Sequence, residues 1–191
     1  DPDNTQPFAS EMPLRLPGTM FCYAPDATSP ALGPPPALAR GFLTFGSFNN
    51  IAKVTDHTLE LWAAVMQAVP GSRLLLKAST MAQASNRVGI ESFMSARGIA
   101  PERLTLIART SSTESHLAIY QQVDIALDTF PYNGATTTCE ALWMGVPVVS
   151  LRGRTHPSRM GASILSAIGR ADWVASDDAG YVDRAVVLAA D

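Results

Sequence analysis

The chain has 191 residues, 47% of them hydrophobic and 16% charged, with a formal net charge of -3. That length and apolar content fit one α/β domain with a short extra arm and exclude wholesale disorder, while the mild acidity argues against an electrostatic nucleic-acid binder. No apolar run is long enough to span a bilayer and no leader pattern opens the chain, so it reads as a soluble, cytoplasmic protein with no membrane partner.

Residues 1–24 mix prolines with scattered apolar residues (Met12, Leu14, Leu16, Phe21, Tyr23) and read as an arm lying on another part of the protein. Residues 25–40 are rich in Pro, Ala, Gly and Ser, including Pro34-Pro35-Pro36. Proline fixes φ and removes amide donors, which predicts an extended linker. A lobe over residues 41–191 follows. Residues 42–45 form a short apolar run, the first strand. Thr55 or Asp56 caps a helix carrying Leu59, Leu61, Trp62, Val65, Met66 and Val69, and Pro70-Gly71 stops it. Residues 73–76 read as a second strand, 81–97 as a weaker helix ended by Gly98, and 104–107 as a third strand. Ser111-Ser112-Thr113-Glu114 fits a capping box that opens a helix to about residue 122. Strands at 125–127 and 146–150, helices at 136–144 and 157–168, a short extended piece at 173–174 and a final helix complete the order. Asp1 is not a Met and Asp191 falls inside an apolar helical pattern, so the chain reads as a piece of a longer protein, truncated at its carboxyl end.

Strand and helix alternate, and the strands are continuous apolar runs rather than alternating ones. This is the pattern of a Rossmann-like parallel sheet with helices on both faces. Ligands of such sheets sit beyond the carboxyl ends of the strands, which directs attention to the loops after Phe45, Leu76, Ile107, Leu127 and Ser150. The richest of these runs from Asp128 to Glu140, through Pro131, Tyr132, Asn133, Gly134, Ala135, Thr136, Thr137 and Thr138. It follows a strand and opens a helix, whose unpaired first amides and partial positive charge suit a diphosphate. Gly134 and Ala135 allow close approach to the backbone, and the Thr136 and Thr137 hydroxyls add donors. Glu140 shares their helix face, where a carboxylate accepts ribose hydroxyls. The alternative on spacing alone is that the threonines merely cap a helix and Glu140 is solvated. Neither a dinucleotide-binding glycine fingerprint nor a P-loop occurs. Cys22 and Cys139 read as free thiols, and no cluster has metal-ligand spacing. Trp62, Trp143 and the methionines read as core packing.

Three stretches carry a resemblance: Phe45-Gly46-Ser47-Phe48-Asn49-Asn50-Ile51-Ala52-Lys53, the run from Asp128 to Thr138, and Glu140-Ala141-Leu142-Trp143-Met144-Gly145-Val146-Pro147-Val148-Val149. Together they resemble the C-terminal catalytic lobe of the O-GlcNAc transferase family, in its bacterial, TPR-associated branch. Glu11, Arg15-Leu16-Pro17 and Cys22-Tyr23 resemble the segment leading out of that family's N-terminal lobe. The resemblance implies one lobe of a GT-B glycosyltransferase moving N-acetylglucosamine from UDP-GlcNAc to protein Ser or Thr hydroxyls, with no metal and no cofactor. It implies Lys53 on the diphosphate of the departing UDP, Thr136 and Thr137 on the phosphates, His116 near the nucleotide and Glu140 on the ribose. Asn50 stands where animal members carry a glutamine near the phosphates. Thr113 replaces a lysine, Ala135 a histidine and Glu140 an aspartate of those members. The N-terminal catalytic lobe, most acceptor contacts, any general base and probable TPR repeats would lie outside this chain. Arg159, in the run from Arg152 to Arg159, faces substrate, the lobe interface or solvent, and Lys77 is a possible phosphate neighbour. The same plan admits another donor such as GDP-fucose, a non-catalytic nucleotide-sugar-binding module, or an epimerase.

Overall fold

The computed structural model describes residues 10–12, 14, 16 and 18–191; Arg15, Pro17 and the first nine residues of the predicted arm lie outside them. Its elements in chain order are α1 (Pro36–Arg40), β1 (Thr44–Ser47), α2 (Asp56–Ala68), β2 (Arg73–Lys77), α3 (Ala84–Ser95), β3 (Leu104–Ile107), α4 (Thr113–Ala118) and β4 (Ile125–Leu127). Then come α5 (Thr136–Trp143), β5 (Val148–Leu151), α6 (Met160–Ala167), β6 (Val174–Ala175) and α7 (Asp178–Ala190). The strands form one parallel sheet in the order β3-β2-β1-β4-β5-β6. The order reverses between β1 and β4, and that switch point is where an open α/β sheet leaves a crevice at its carboxyl edge.

The continuous apolar runs are explained by two cores, one on each face. Phe45, Leu74, Leu76, Ile125, Leu127, Val149 and Leu151 pack with Trp62 and Met66 of α2, Met94 of α3 and Tyr181 of α7. Leu75, Ala126 and Val148 point the other way, onto Leu117, Tyr120, Ala141, Met144 and Leu165. Successive side chains alternate faces, so a strand buried on both sides must be apolar throughout.

Several boundaries differ from the sequence reading, each for a local reason. The first strand begins at Thr44, not Phe42: the Asp124 carboxylate takes the Thr44 and Ala37 amides at 2.8 Å each, which starts the ladder there, and the Phe42 ring lies 4.0 Å under the Arg73 guanidinium. The fifth strand begins at Val148, because the Val146 amide still serves the exit of α5 by donating to the Ala141 carbonyl at 2.8 Å. The linker is not extended throughout, since residues 36–40 wind into α1 and end on Gly41 at φ 71°. The capping box at α4 is one residue later than predicted. Ser112 caps, Ser115 reciprocates, and Glu114 takes no part. Trp143, expected in the core, is 47% exposed, whereas Trp62 is fully buried. Cys22 and Cys139 are both free. Among the described residues no helix is long and apolar enough to cross a membrane.

Candidate functional site

The loop from β4 into α5 is built around one carboxylate. Asp128, at the end of β4, is only 3% exposed. Its Oδ1 accepts from the amides of Thr129 (2.9 Å) and Gly134 (2.6 Å) and from Asn49 Nδ2 (3.4 Å), and its Oδ2 from the Ser150 hydroxyl (2.7 Å). Burial raises its pKa from 3.8 to about 6, against the pull of these donors and of the nearby Lys53 charge. Charge-assisted bonds of this kind hold a loop more firmly than neutral ones. The loop is tied from outside as well. The Phe130 carbonyl accepts from the hydroxyls of Thr55 (3.0 Å) and Thr58 (2.7 Å), at the start of α2. Asn133 is fully buried and donates to the carbonyls of Thr129 (2.8 Å) and Leu151 (3.3 Å). The Phe130-Pro131 peptide is cis.

Helix α5 then begins with Ala135 as its N-cap and no side chain closing it. Its first-turn amides, on Thr136, Thr137 and Thr138, have no partner inside an α-helix. The reading in which the threonines merely cap the helix therefore does not hold: Thr136 is exposed, and the Thr137 hydroxyl donates to Asn49 Oδ1 at 3.0 Å. The role expected of Gly134 also changes. A Cβ there would lie 2.6 Å from Thr137 Oγ1 and 2.7 Å from Thr138 Oγ1. The residue is buried and its amide already belongs to Asp128, so packing within the protein by itself calls for glycine here.

Lys53 reaches the same place from the other side of the switch point. It ends a single 3-10 turn, residues Ile51–Lys53, after β1. Asn50 caps that turn, its Oδ1 accepting the Ala52 amide at 3.0 Å. Asn50 thus aims the turn that carries Lys53. The Lys53 ammonium donates to the Asn133 carbonyl at 2.9 Å and lies 4.1 Å from the centre of the Tyr132 ring. Burial lowers its pKa, with Asp128 opposing. Lys53 and the uncapped turn of α5 are therefore brought together at the carboxyl edge of the sheet.

His116, Glu140 and Lys77 form a second, connected group. Lys77 Nζ lies 2.6 Å from His116 Nδ1, and His116 Nε2 lies 3.0 Å from Glu140 Oε2. An ammonium only donates, so Nδ1 accepts and the ring proton sits on Nε2, given to the carboxylate. Tyr120 adds its hydroxyl to Glu140 Oε2 at 3.2 Å, and its ring stacks on Phe48 at 3.7 Å. Burial and Glu140 push the Tyr120 hydroxyl well above its ordinary pKa. Lys77 is 9% exposed and its pKa is lowered by burial, with Glu140 opposing. Both His116 nitrogens are engaged inside the protein, and its ring meets those of Phe48 and Tyr120 edge to face. On the Glu140 carboxylate only Oε2 is taken by described residues. Arg159 is half-buried and tied to the Gly153 carbonyl at 3.1 Å. The sequence reading gave Asp128, Asn49 and Tyr120 no role of their own. A carboxylate directly after a buried apolar strand was the available signal for Asp128.

The strand order, the helices on both faces and the loops gathered at the carboxyl edge define a Rossmann-like lobe of the GT-B type. The model of glycosyl transferase family 41 matches residues 37–191, and the chain belongs to that family. The chain is 41% identical over 191 residues to the probable UDP-N-acetylglucosamine–peptide N-acetylglucosaminyltransferase SPINDLY of Solanum lycopersicum, covering all of this chain and 20% of that protein. It is 32% identical over 149 residues to the UDP-N-acetylglucosamine–peptide N-acetylglucosaminyltransferase of Caenorhabditis elegans, covering 78% of this chain and 13% of that one. A solved O-GlcNAc transferase variant from Thermobaculum terrenum superposes with a TM-score of 0.82 at 37% identity, over 87% of this chain and 31% of its own. The chain thus spans about a fifth of the length of the SPINDLY relative.

Proposed function

We propose that this lobe binds the nucleotide sugar UDP-GlcNAc, and that the protein containing it transfers N-acetylglucosamine to Ser or Thr hydroxyls of protein acceptors. The names of the relatives support the donor and the acceptor class. In this reading the pyrophosphate sits on the amides of Thr136, Thr137 and Thr138 with the Thr136 hydroxyl beside them. The ribose hydroxyls reach the open oxygen of Glu140, and the uracil lies on the face of His116. Lys53 meets the β-phosphate. As the bond from the sugar to the phosphate oxygen breaks and the acceptor oxygen bonds to the sugar, negative charge grows on the departing UDP. A preorganised ammonium stabilises that charge more in the transition state than in the ground state. The acceptor's proton goes to a base outside this lobe, as do most acceptor contacts. The 191-residue chain by itself then binds UDP weakly and transfers little.

The observation that carries this reading is the 2.9 Å bond from Lys53 to the Asn133 carbonyl, which sets the ammonium at the entrance to the uncapped turn of α5. Calorimetry with UDP and GDP on the full-length protein tests it. Binding of UDP at least tenfold tighter than GDP is the expected result; preference for GDP would move the donor to a sugar such as GDP-fucose, and binding of neither would end the reading.

A further inference from the structure

A second recess lies beside the proposed donor site. It has a volume of about 570 Å³ and is lined by Arg152, Arg154 and Arg159 from the loop between β5 and α6, with Phe130 and Pro131 as the facing wall. Among the described residues no carboxylate lines it. Elsewhere Arg97 pairs with Glu60, and Arg170 with Asp172 at 3.0 Å. Neither Arg152 nor Arg154 pairs with a carboxylate among the described residues, although the chain carries a net charge of -3. Burial lowers the pKa of Arg159, and the Arg152 charge lowers it further, so these guanidiniums share one field.

The loop is held in shape before any ligand arrives. Thr155 and Ser158 make a reciprocal pair, the Ser158 hydroxyl accepting the Thr155 amide at 3.1 Å and donating to the Thr155 carbonyl at 2.8 Å. Arg159 braces the Gly153 carbonyl. A Cβ on Gly153 would collide with Ser158 and stand 3.0 Å from the Phe130 ring. Phe130 belongs to the same loop whose far end, at Asn133, holds Lys53. One short loop therefore divides the arginine recess from the place proposed for the diphosphate. Guanidiniums recognise planar oxyanions through paired N–H donors.

We infer that this recess is an acceptor subsite, in which Arg152 and Arg154 take the carboxylate of an Asp or Glu close in sequence to the Ser or Thr that receives the sugar. The inference rests on the protein-acceptor reading above and adds acceptor specificity to it. Its occupant is an acidic protein segment, which brings the one charge the recess lacks.

The test uses the full-length protein and two fluorescent Ser-containing peptides that differ only in flanking Asp/Glu against Asn/Gln, measured by anisotropy with UDP present. The acidic peptide is expected to bind about fivefold more tightly at low salt, with the advantage shrinking as salt rises. The double variant Arg152→Gln/Arg154→Gln is expected to erase that advantage while UDP affinity and binding of the neutral peptide stay unchanged. Arg40→Gln, in α1 at the opposite edge of the sheet, is expected to preserve it. Equal binding of the two peptides, or an advantage that survives the double variant, would each overturn the inference. If UDP itself does not bind, the donor reading fails first, and the two failures are told apart.

Discussion

Two loops at the same edge of the sheet are built on opposite principles. From Asp128 to Gly134 the polar groups are mostly tied inward: the Asp128 carboxylate gathers four donors, and the buried Asn133 amide donates to two carbonyls, although its Oδ1 has no partner among the described residues. From Arg152 to Arg159 the backbone is braced, but Arg152 and Arg154 stand exposed and, among the described residues, unpaired by carboxylates. The first design suits contacts that must be in place before charge develops, because reorganisation during reaction would forfeit much of their value. The second suits contacts that vary from one acceptor to the next.

The sharpest way to break this comparison is at Lys53. Lys53→Ala in the full-length protein is expected to reduce turnover about 10²–10³-fold while UDP affinity falls only severalfold, the signature of an interaction made chiefly in the transition state. Equal losses in both would make it an ordinary binding residue. Asp128 comes next. Because burial raises its folded-state pKa from 3.8 to about 6, the unfolded chain releases this proton first as pH rises. Stability relative to Asp128→Asn is then expected to fall by ~3 kcal/mol between about pH 4 and pH 6 and to level off above, as read by urea unfolding across that range. A flat difference would mean that the carboxylate is not buried as described. Gly134→Ala is expected to leave the fold intact but shift the first turn of α5, weakening UDP about tenfold by calorimetry, since the new methyl meets two threonine oxygens inside 3 Å. The smallest effect belongs to Tyr120→Phe. It removes one of two bonds to Glu140 and is expected to cost about 1 kcal/mol of stability in the same unfolding assay.

The fold was legible because burial on both faces writes itself into short strands: Leu74, Leu75 and Leu76 are all apolar since each meets a core. Strand ends were less legible, because they depend on partners far along the chain, as Thr44 depends on Asp124. In the site, the Lys53 and Thr136 segments stood out through their resemblance to a family, and their approach to each other is a property of the strand order. Lys77, His116 and Glu140 were each picked out in the sequence, but nothing there signalled that they bond to one another. They are 39 and 24 residues apart and meet only once β2, α4 and α5 are in place. Gly134 shows the converse. Its presence in a threonine-rich loop was plain, but its reason, the Asp128 carboxylate and two threonine hydroxyls, is a matter of packing.

The account turns on whether the start of α5 and Lys53 share one pyrophosphate. Amide chemical shifts of the isotopically labelled chain, followed as UDP is added, address this directly. The amides of Thr136, Thr137 and Thr138 and the turn of Lys53 are predicted to move together, with Gly134 moving little because its amide is already held by Asp128. Shifts gathered instead on residues 152–159, with the Thr136 turn unmoved, would contradict it.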